Sequence, residues 1–213
     1  MGHQIILSTA YLAPIQYFTK FLIPADIVIE KHENFIKQTY RNRCIIYGAN
    51  GTIPLTVPVK RGSFHKTLIN ELEIDYSKKW QKLHWKAIES AYLSAPFFEY
   101  YYDELKPFYQ TKTRLLIDLN TNLLEILLKF TGIKAKYSFT KQYTTLQEGD
   151  DAIDYRNVIH PKHPLADPFY QPQPYYQVFE ERHGFLENLS ILDLLFNTGP
   201  ETYNNLQKAI IKD

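Results

Sequence analysis

A polar block, HENFIKQTYRNR, carries side chains of the types that bind and transform small polar ligands. Its cations offer charge-assisted hydrogen bonds to phosphate or carboxylate groups, and its amides suit hydroxyl groups. Its histidine and its glutamate are candidates for acid–base catalysis. The catalytic candidates of the block are His32 and Glu33, and its ligand-binding candidates are Asn34, Lys37, Gln38, Arg41, Asn42 and Arg43. The alternative is an ordinary polar loop that leads into a strand.

A second polar cluster lies in DYRNVIHPKHP, residues 154–164. A histidine on a loop that covers a ligand can act as a general base, which makes His160 a third catalytic candidate. Asp154, Arg156 and His163 are the ligand-binding candidates here. The alternative is a proline-stiffened loop whose histidines pack on tyrosines. A metal site is the weaker interpretation, because the prolines rule out the helical face that paired histidine ligands use, and no metal ligand is assigned.

Composition and charge argue against several classes of protein. The formal net charge is +1, whereas a dedicated nucleic-acid binder usually carries a strongly basic face. One cysteine excludes an internal disulfide and fits a reducing compartment. We find no signal peptide and no apolar run of membrane-spanning length, so we expect a cytoplasmic protein. The sequence lacks G-x-G-x-x-G, a Walker loop, G-x-S-x-G and H-E-x-x-H, and no cofactor is predicted.

Two short apolar runs are expected to position the first block. QIILS (4–8) and DIVIE (26–30) read as strands, and the helical stretch between them predicts a parallel pair with a right-handed crossover. The polar block then begins at the carboxyl end of the second strand, where ligand crevices form in open α/β sheets. Tyr11 follows the first strand, which makes it a further ligand-binding candidate in the neighbouring wall.

The remaining patterns predict an α/β fold with a small, mostly parallel sheet, a β-hairpin and several flanking helices. Asn50-Gly51 between apolar runs indicates the hairpin. Helical patterns cover 80–93, 97–109 and 113–130, with Gly132 as a C-cap, and a returning strand follows.

The carboxyl-terminal part mixes loop and helix signals. The acidic stretch 147–154 is expected to be a loop or a helix start, and the proline-rich stretch 160–176 a long loop. Ser190 and Asp193 predict a capping box at the start of a buried helix. We expect one domain over residues 1–213, strand-rich over 1–76 and helix-rich over 77–213.

Several segments together resemble the WbqC-like family of bacterial proteins. They are STAYLAPIQYF, the polar block with its element Tyr40-Arg41-Asn42-Arg43, HWKAIESAYLSAPFFEYY, the HPKHP loop and LENLSILDLLFNTGPE. The resemblance runs over nearly the whole chain and is strongest to a short form found in Bacteroidetes-type bacteria. Longer members carry a glycine-rich Y-L-S-G-type segment, whereas this chain has GDDAIDYRNVIHPKHP in its place.

The resemblance implies a role in surface polysaccharide (O-antigen) biosynthesis. Three hypotheses are considered, two in line with this role and a third that rests only on a pair of histidines. The first is a transferase that acts on a nucleotide-linked amino sugar or a related precursor, transferring an aminoacyl or acyl group; its ligand is a nucleotide sugar or another anionic metabolite. The second is a non-catalytic accessory protein that binds a protein partner of envelope biosynthesis through tyrosine-rich surfaces. The third is a metal-dependent hydrolase built on His160 and His163.

Overall fold

The central layer of the fold is a small parallel sheet with a separate hairpin beside it. The computed structural model describes residues 4–60, 67–147 and 149–211. Its strands are β1 (Gln4–Ser8), β2 (Asp26–Glu30), β3 (Arg43–Gly48), β4 (Gly51–Thr56), β5 (Tyr137–Phe139) and β6 (Ala152–Asp154). The sheet has the order β5-β2-β1-β6 with every pair parallel, and β3 and β4 form the antiparallel hairpin.

The helices lie mostly in the carboxyl-terminal half of the chain. They are α1 (Ile15–Thr19), α2 (Trp80–Tyr92), α3 (Phe98–Leu105), α4 (Leu116–Thr131), α5 (Glu180–His183), α6 (Ile191–Thr198) and α7 (Thr202–Lys208). Gly132 ends α4 with φ of 73°, a left-handed conformation that glycine adopts without steric cost. The predicted α/β class, the parallel pair and the hairpin are confirmed. Within the described residues, no helix has the length and apolar content needed to cross a membrane.

The two faces of the sheet are covered differently. Ile5 and Ile27 point from neighbouring strands into the main core, which also contains apolar side chains of α4 and α6. Ile6 and Val28, the next residues along the two strands, point to the opposite face, next to the segment that follows β5. Because all strands of the sheet run in the same direction, their carboxyl ends meet at one edge.

Two sequence expectations are wrong. Part of the acidic stretch 147–154 is strand β6, because Ala152 to Asp154 pair with β1 and complete the sheet. The capping box is only half formed: Ser190 Oγ accepts from the Leu192 amide at 3.4 Å, but the Asp193 carboxylate does not return to the Ser190 amide. The Asp193 carboxylate accepts instead from the hydroxyls of Tyr92 and Tyr175 and from the side-chain amide of Gln177 in the core.

The proline-rich stretch 160–176 contains no helix or strand, but it is anchored at Asp167. Lys20 of the turn after α1 is fully buried, and its Nζ lies 2.5 Å from Asp167 Oδ2. Gln16 Nε2 donates to the same oxygen at 2.8 Å, and the Tyr155 hydroxyl donates to Oδ1 at 2.9 Å. This buried ion pair fastens the stretch to α1.

Candidate functional site

A cleft of about 310 Å³ opens at the carboxyl edge of the sheet, and we call it the sheet-edge cleft. It is lined by His32, Glu33, Asn34, Ile36, Tyr143, Arg156 and Asn157. The first four follow β2, the last two follow β6, and Tyr143 comes from the segment after β5. The parallel strands therefore gather this set from three distant parts of the sequence.

Backbone pairing with residues 67–70 holds the first half of the polar block in place. The Ile69 amide donates to the Glu33 carbonyl at 3.0 Å, and the Phe35 amide donates to the Thr67 carbonyl at 3.0 Å. The Asn70 amide donates to the Lys31 carbonyl at 3.2 Å. These bonds fix the backbone that presents His32 and Glu33, so the cleft wall is rigid although it lies outside the sheet.

Glu30, the last residue of β2, is a fully buried hydrogen-bonding centre below the cleft. Its Oε1 accepts from the His32 amide at 2.6 Å and from Thr140 Oγ1 at 2.8 Å. Its Oε2 accepts from Arg156 Nη1 at 3.1 Å. One carboxylate thus joins the ends of β2, β5 and β6.

Arg156 uses its guanidinium on two carboxylates. Besides Glu30, it binds Asp154, with Nη2 donating to Oδ2 at 2.6 Å and Nε donating to Oδ1 at 2.9 Å. The Tyr143 ring centroid lies 4.8 Å from the guanidinium carbon, within cation–π range. Arg156 is only 3% exposed, so it positions the acids and the tyrosine around the cleft.

Arg41 binds Glu33 in a bidentate pair. Nε donates to Oε1 and Nη2 donates to Oε2, both at 2.6 Å, and Nη2 also donates to the Arg156 carbonyl at 3.2 Å. Burial raises the pKa of Glu33, and the hydrogen bonds from Arg41 oppose that increase. With 2% of its surface exposed, Arg41 lies below the cleft and holds a carboxylate that lines it.

The charges of this network do not cancel. Three carboxylates, those of Glu30, Glu33 and Asp154, face two guanidinium groups. Both arginines donate hydrogen bonds to these acids, and one formal negative charge remains. Only Asp154 of the network is partly exposed, and an excess of this sign favours a cationic ligand group, such as a protonated amine, over a phosphate.

Tyr11 lies outside the cleft wall. Its side chain is fully buried, and its hydroxyl is 3.0 Å from both His84 Nδ1 and the Tyr109 hydroxyl. Burial lowers the pKa of His84 to about 4, which keeps that imidazole neutral as a hydrogen-bond partner. The segment after β1 therefore serves the core.

The second half of the polar block also turns away from the cleft. Asn42 Nδ2 donates to the Val57 carbonyl at 2.8 Å, and Arg43 opens β3 of the hairpin. Lys37 and Gln38 are exposed, and Gln38 Oε1 accepts from Lys162 Nζ at 2.6 Å. Of the block, the cleft wall thus contains the polar residues His32, Glu33 and Asn34 and the apolar Ile36, and the buried Arg41 holds Glu33.

His160 and His163 stack on each other with ring centroids 5.4 Å apart, and neither lines the sheet-edge cleft. His160 Nδ1 accepts from the backbone amides of Lys162 and His163, both at 3.0 Å. Burial and the neighbouring His163 lower the pKa of His160. Across the described parts of the chain, no three His, Cys, Asp or Glu side chains are grouped as a metal ion would need.

Five residues of the site were missed by sequence reasoning: Glu30, Ile36, Thr140, Tyr143 and Asn157. Glu30 had a signal, since it is the polar last residue of an apolar strand at the edge where ligands bind. Asn157 follows the predicted Arg156 directly. Thr140 and Tyr143 had none, because the segment after β5 has no periodic pattern.

Comparison of the sequence with known proteins identifies the family of the chain. The model of the WbqC-like protein family matches residues 9–163, a range that includes all the lining residues of the sheet-edge cleft. An uncharacterized protein of Mycobacterium tuberculosis, Rv1507c, is 28% identical over 225 residues, which cover 95% of this chain and 96% of that protein. No solved structure matches. The resemblance noted in the sequence is confirmed, and the chain belongs to the WbqC-like protein family.

Proposed function

We propose that the protein is a transferase that binds a nucleotide-linked amino sugar in the sheet-edge cleft and acylates its amino group. The observation that carries this proposal is the unbalanced negative charge of the ion-pair network at the cleft, which is formed by Glu30, Glu33 and Asp154 with two arginines. A protonated sugar amine complements that charge, whereas a neutral sugar gains nothing from it.

The exposed lining groups suit a sugar ring. The Tyr143 side chain is 52% exposed and offers an aromatic face to the apolar side of a sugar. Asn34 and Asn157 are exposed amides that hydrogen-bond hydroxyl groups. Glu33, held by Arg41, accepts from the amino group and directs it toward His32.

His32 takes the proton in the proposed reaction. His32 first removes one proton from the bound ammonium group, which gives the nitrogen a lone pair. The neutral amine nitrogen then attacks the carbonyl carbon of an activated aminoacyl or acyl donor, and a C–N bond forms. The bond from that carbon to the leaving group breaks, and the leaving group departs with the electron pair and takes the second proton that the nitrogen loses.

Asn70 sets the tautomer of His32 in this scheme. Its amide lies 3.5 Å from His32 Nδ1, and Asn70 Oδ1 has no hydrogen-bond partner among the residues that the structure describes. Side-chain amide orientations are assigned from hydrogen bonding, and the reversed amide would accept from a protonated Nδ1. His32 Nε2 is then unprotonated and available as the base.

The reaction belongs to surface polysaccharide biosynthesis in the cytoplasm, in line with the family resemblance. The single cysteine, Cys44, is buried in β3 and unpaired, which suits a reducing compartment.

The test compares UDP-glucosamine with UDP-N-acetylglucosamine by isothermal titration calorimetry. Acetylation removes the charge, so we expect the free amine to bind at least about tenfold more tightly at neutral pH, the factor that 1.4 kcal/mol provides. Asn157→Ala should weaken the binding of both ligands. Lys134→Gln, an exposed control outside the cleft, should leave the binding of both unchanged. Equal binding of the two sugars, or tighter binding of the acetylated one, would contradict the proposal.

A second candidate function, that of an accessory binding protein, is favoured by a groove between α2 and α3. This groove, of about 530 Å³, has the exposed Leu93 and the buried Phe98 in its wall and a rim of Glu89, Glu99 and Asp103. Its acidic rim and apolar floor fit a basic, apolar segment of a partner. Under this alternative, Leu93→Asp abolishes capture of such a partner, and Asn157→Ala leaves it unchanged.

A further inference from the structure

A second cleft, of about 580 Å³, lies beside the sheet-edge cleft. The two clefts are lined by consecutive residues of the chain: Lys31 lines the second cleft and His32 lines the first. Asn70, 3.5 Å from His32, also lines the second cleft. Neighbouring residues of the chain, Lys31 and His32, thus belong to the walls of neighbouring clefts.

Lys31 is the cationic residue of this second wall. Its Nζ lies 5.4 Å from the centroid of the Phe139 ring. Within residues 4–60, 67–147 and 149–211, no carboxylate lies within ion-pair distance of this ammonium. Unlike Arg41 and Arg156, Lys31 is thus a half-buried cation whose charge is available to an anionic ligand.

The rest of the second cleft combines an apolar wall with hydroxyl-binding groups. Ile117 and Phe139 form an apolar surface of the kind that a nucleobase packs on. Asp118 and Asn122 are one helical turn apart on α4, both exposed and both in the wall. A carboxylate and an amide side by side suit the paired hydroxyls of a ribose, as acidic residues do in dinucleotide sites.

We propose that the second cleft binds the nucleoside diphosphate part of the substrate. The diphosphate contacts Lys31, and the nucleobase packs against Ile117 and Phe139. The ribose hydroxyls form hydrogen bonds with Asp118 and Asn122. This inference rests on the proposed function, because the amino sugar linked to that diphosphate then extends past Lys31 to His32. The division of charge agrees with it: the anionic part of the ligand meets a lysine, and its amine meets an excess of carboxylates.

The experiment measures UDP binding, without any sugar, by isothermal titration calorimetry on the full chain. Lys31→Gln should weaken UDP binding at least about tenfold, since one charge-assisted hydrogen bond to phosphate is removed. Asp118→Asn should weaken it less, and because Asp118 is exposed, this variant tests the site without endangering the fold. Asn157→Ala in the sheet-edge cleft and Lys134→Gln at the surface are the controls, and both should bind UDP as the wild type does.

The outcomes separate this inference from the function on which it rests. UDP binding that is insensitive to Lys31→Gln and Asp118→Asn, or that is lost in Asn157→Ala, overturns the second site. So does binding of UDP-glucosamine without any binding of UDP. UDP binding that depends on Lys31 would support the nucleotide site. If the free and acetylated sugars then bind with equal affinity, the amine-specific transferase is refuted although the nucleotide site stands.

Discussion

The guanidinium of Arg41 and the carboxylate of Glu33 form two parallel hydrogen bonds of 2.6 Å, both buried. The pair converts an arginine of the polar block from a ligand-binding candidate into the support of a cleft-lining acid. It also makes the two hypotheses for Arg41 separable by experiment, because they differ in what is lost when the side chain is removed.

Arg41→Met should destabilise the protein by about 3–5 kcal/mol, because Glu33 becomes a buried charge without its partner. Urea unfolding at neutral pH measures this difference. The double variant Arg41→Met with Glu33→Gln should recover part of the loss, since it removes the unpaired charge. Wild-type stability in Arg41→Met, combined with lost ligand binding, would instead mean that Arg41 contacts the ligand directly.

Asp193 should make stability depend on pH between about 4 and 6. Its carboxylate is 1% exposed and accepts from Tyr92, Tyr175 and Gln177 at 2.9, 2.6 and 2.9 Å. Burial raises the pKa of Asp193 to about 6, from 3.8, and these donors oppose the increase. Because the folded pKa is the higher one, the stabilisation is complete below pH 4 and is lost as pH rises through 6.

The measurement is the free energy of unfolding of the wild type minus that of Asp193→Asn, from pH 4 to pH 7. Two pKa units correspond to roughly 3 kcal/mol at most, so the difference should fall by about 2–3 kcal/mol over this range. Groups that titrate alike in both proteins cancel. A difference that stays flat with pH would show that Asp193 titrates normally.

Asp167→Ala should release the proline-rich stretch 160–176. The substitution removes the acceptor of Gln16 and Tyr155 and leaves Lys20 buried without a counter-charge. Trypsin should then cut after Lys162 faster than in the wild type, because local opening exposes this bond. Glu181→Ala, at an exposed position of α5, is the control and should be cut at the wild-type rate. Unchanged cleavage in Asp167→Ala would mean that other contacts hold the stretch.

His32→Ala and His160→Ala should differ sharply in the proposed acyl transfer. Loss of a general base lowers turnover about 10²–10⁴-fold, and this is expected for His32, which lines the cleft. His160 has its Nδ1 committed to backbone amides, so its loss should change turnover little. Single-turnover rates on UDP-glucosamine with an activated acyl donor provide the comparison. The reverse ranking would move the catalytic centre to the loop 160–176.

The parts of the fold that local patterns predicted are those with a clear signal in the sequence. β1, β2 and the hairpin follow from short β-branched runs and one Asn-Gly pair, and α4 follows from leucines three and four residues apart. β6 did not, because three residues at the end of an acidic stretch have too little pattern, and only pairing with β1 makes them a strand.

The candidate site was predicted in location and not in detail. The carboxyl-edge rule brought His32, Glu33 and Asn34 to the edge of the sheet, where they line the cleft. The same reasoning read Arg41 as a ligand clamp, because residue types reveal what a side chain can bind but not which neighbour has already bound it. The contribution of Tyr143 depends on the path of a segment without local pattern, so it could be found only in three dimensions.

The attachment of β6 has a further consequence. The strand pairs with the sheet over only three residues, and the contacts of Arg156 with Glu30 and Asp154 tie its end to β2. The ion pairs that give the sheet-edge cleft its charge therefore also hold an edge strand in place. Amide hydrogen exchange in β6 should slow on ligand binding, since a ligand that requires Arg156 and Asn157 in place selects the closed edge. Substitution of Arg156 should therefore change the exchange of the β6 amides as well as the charge of the cleft, since the same side chain serves both.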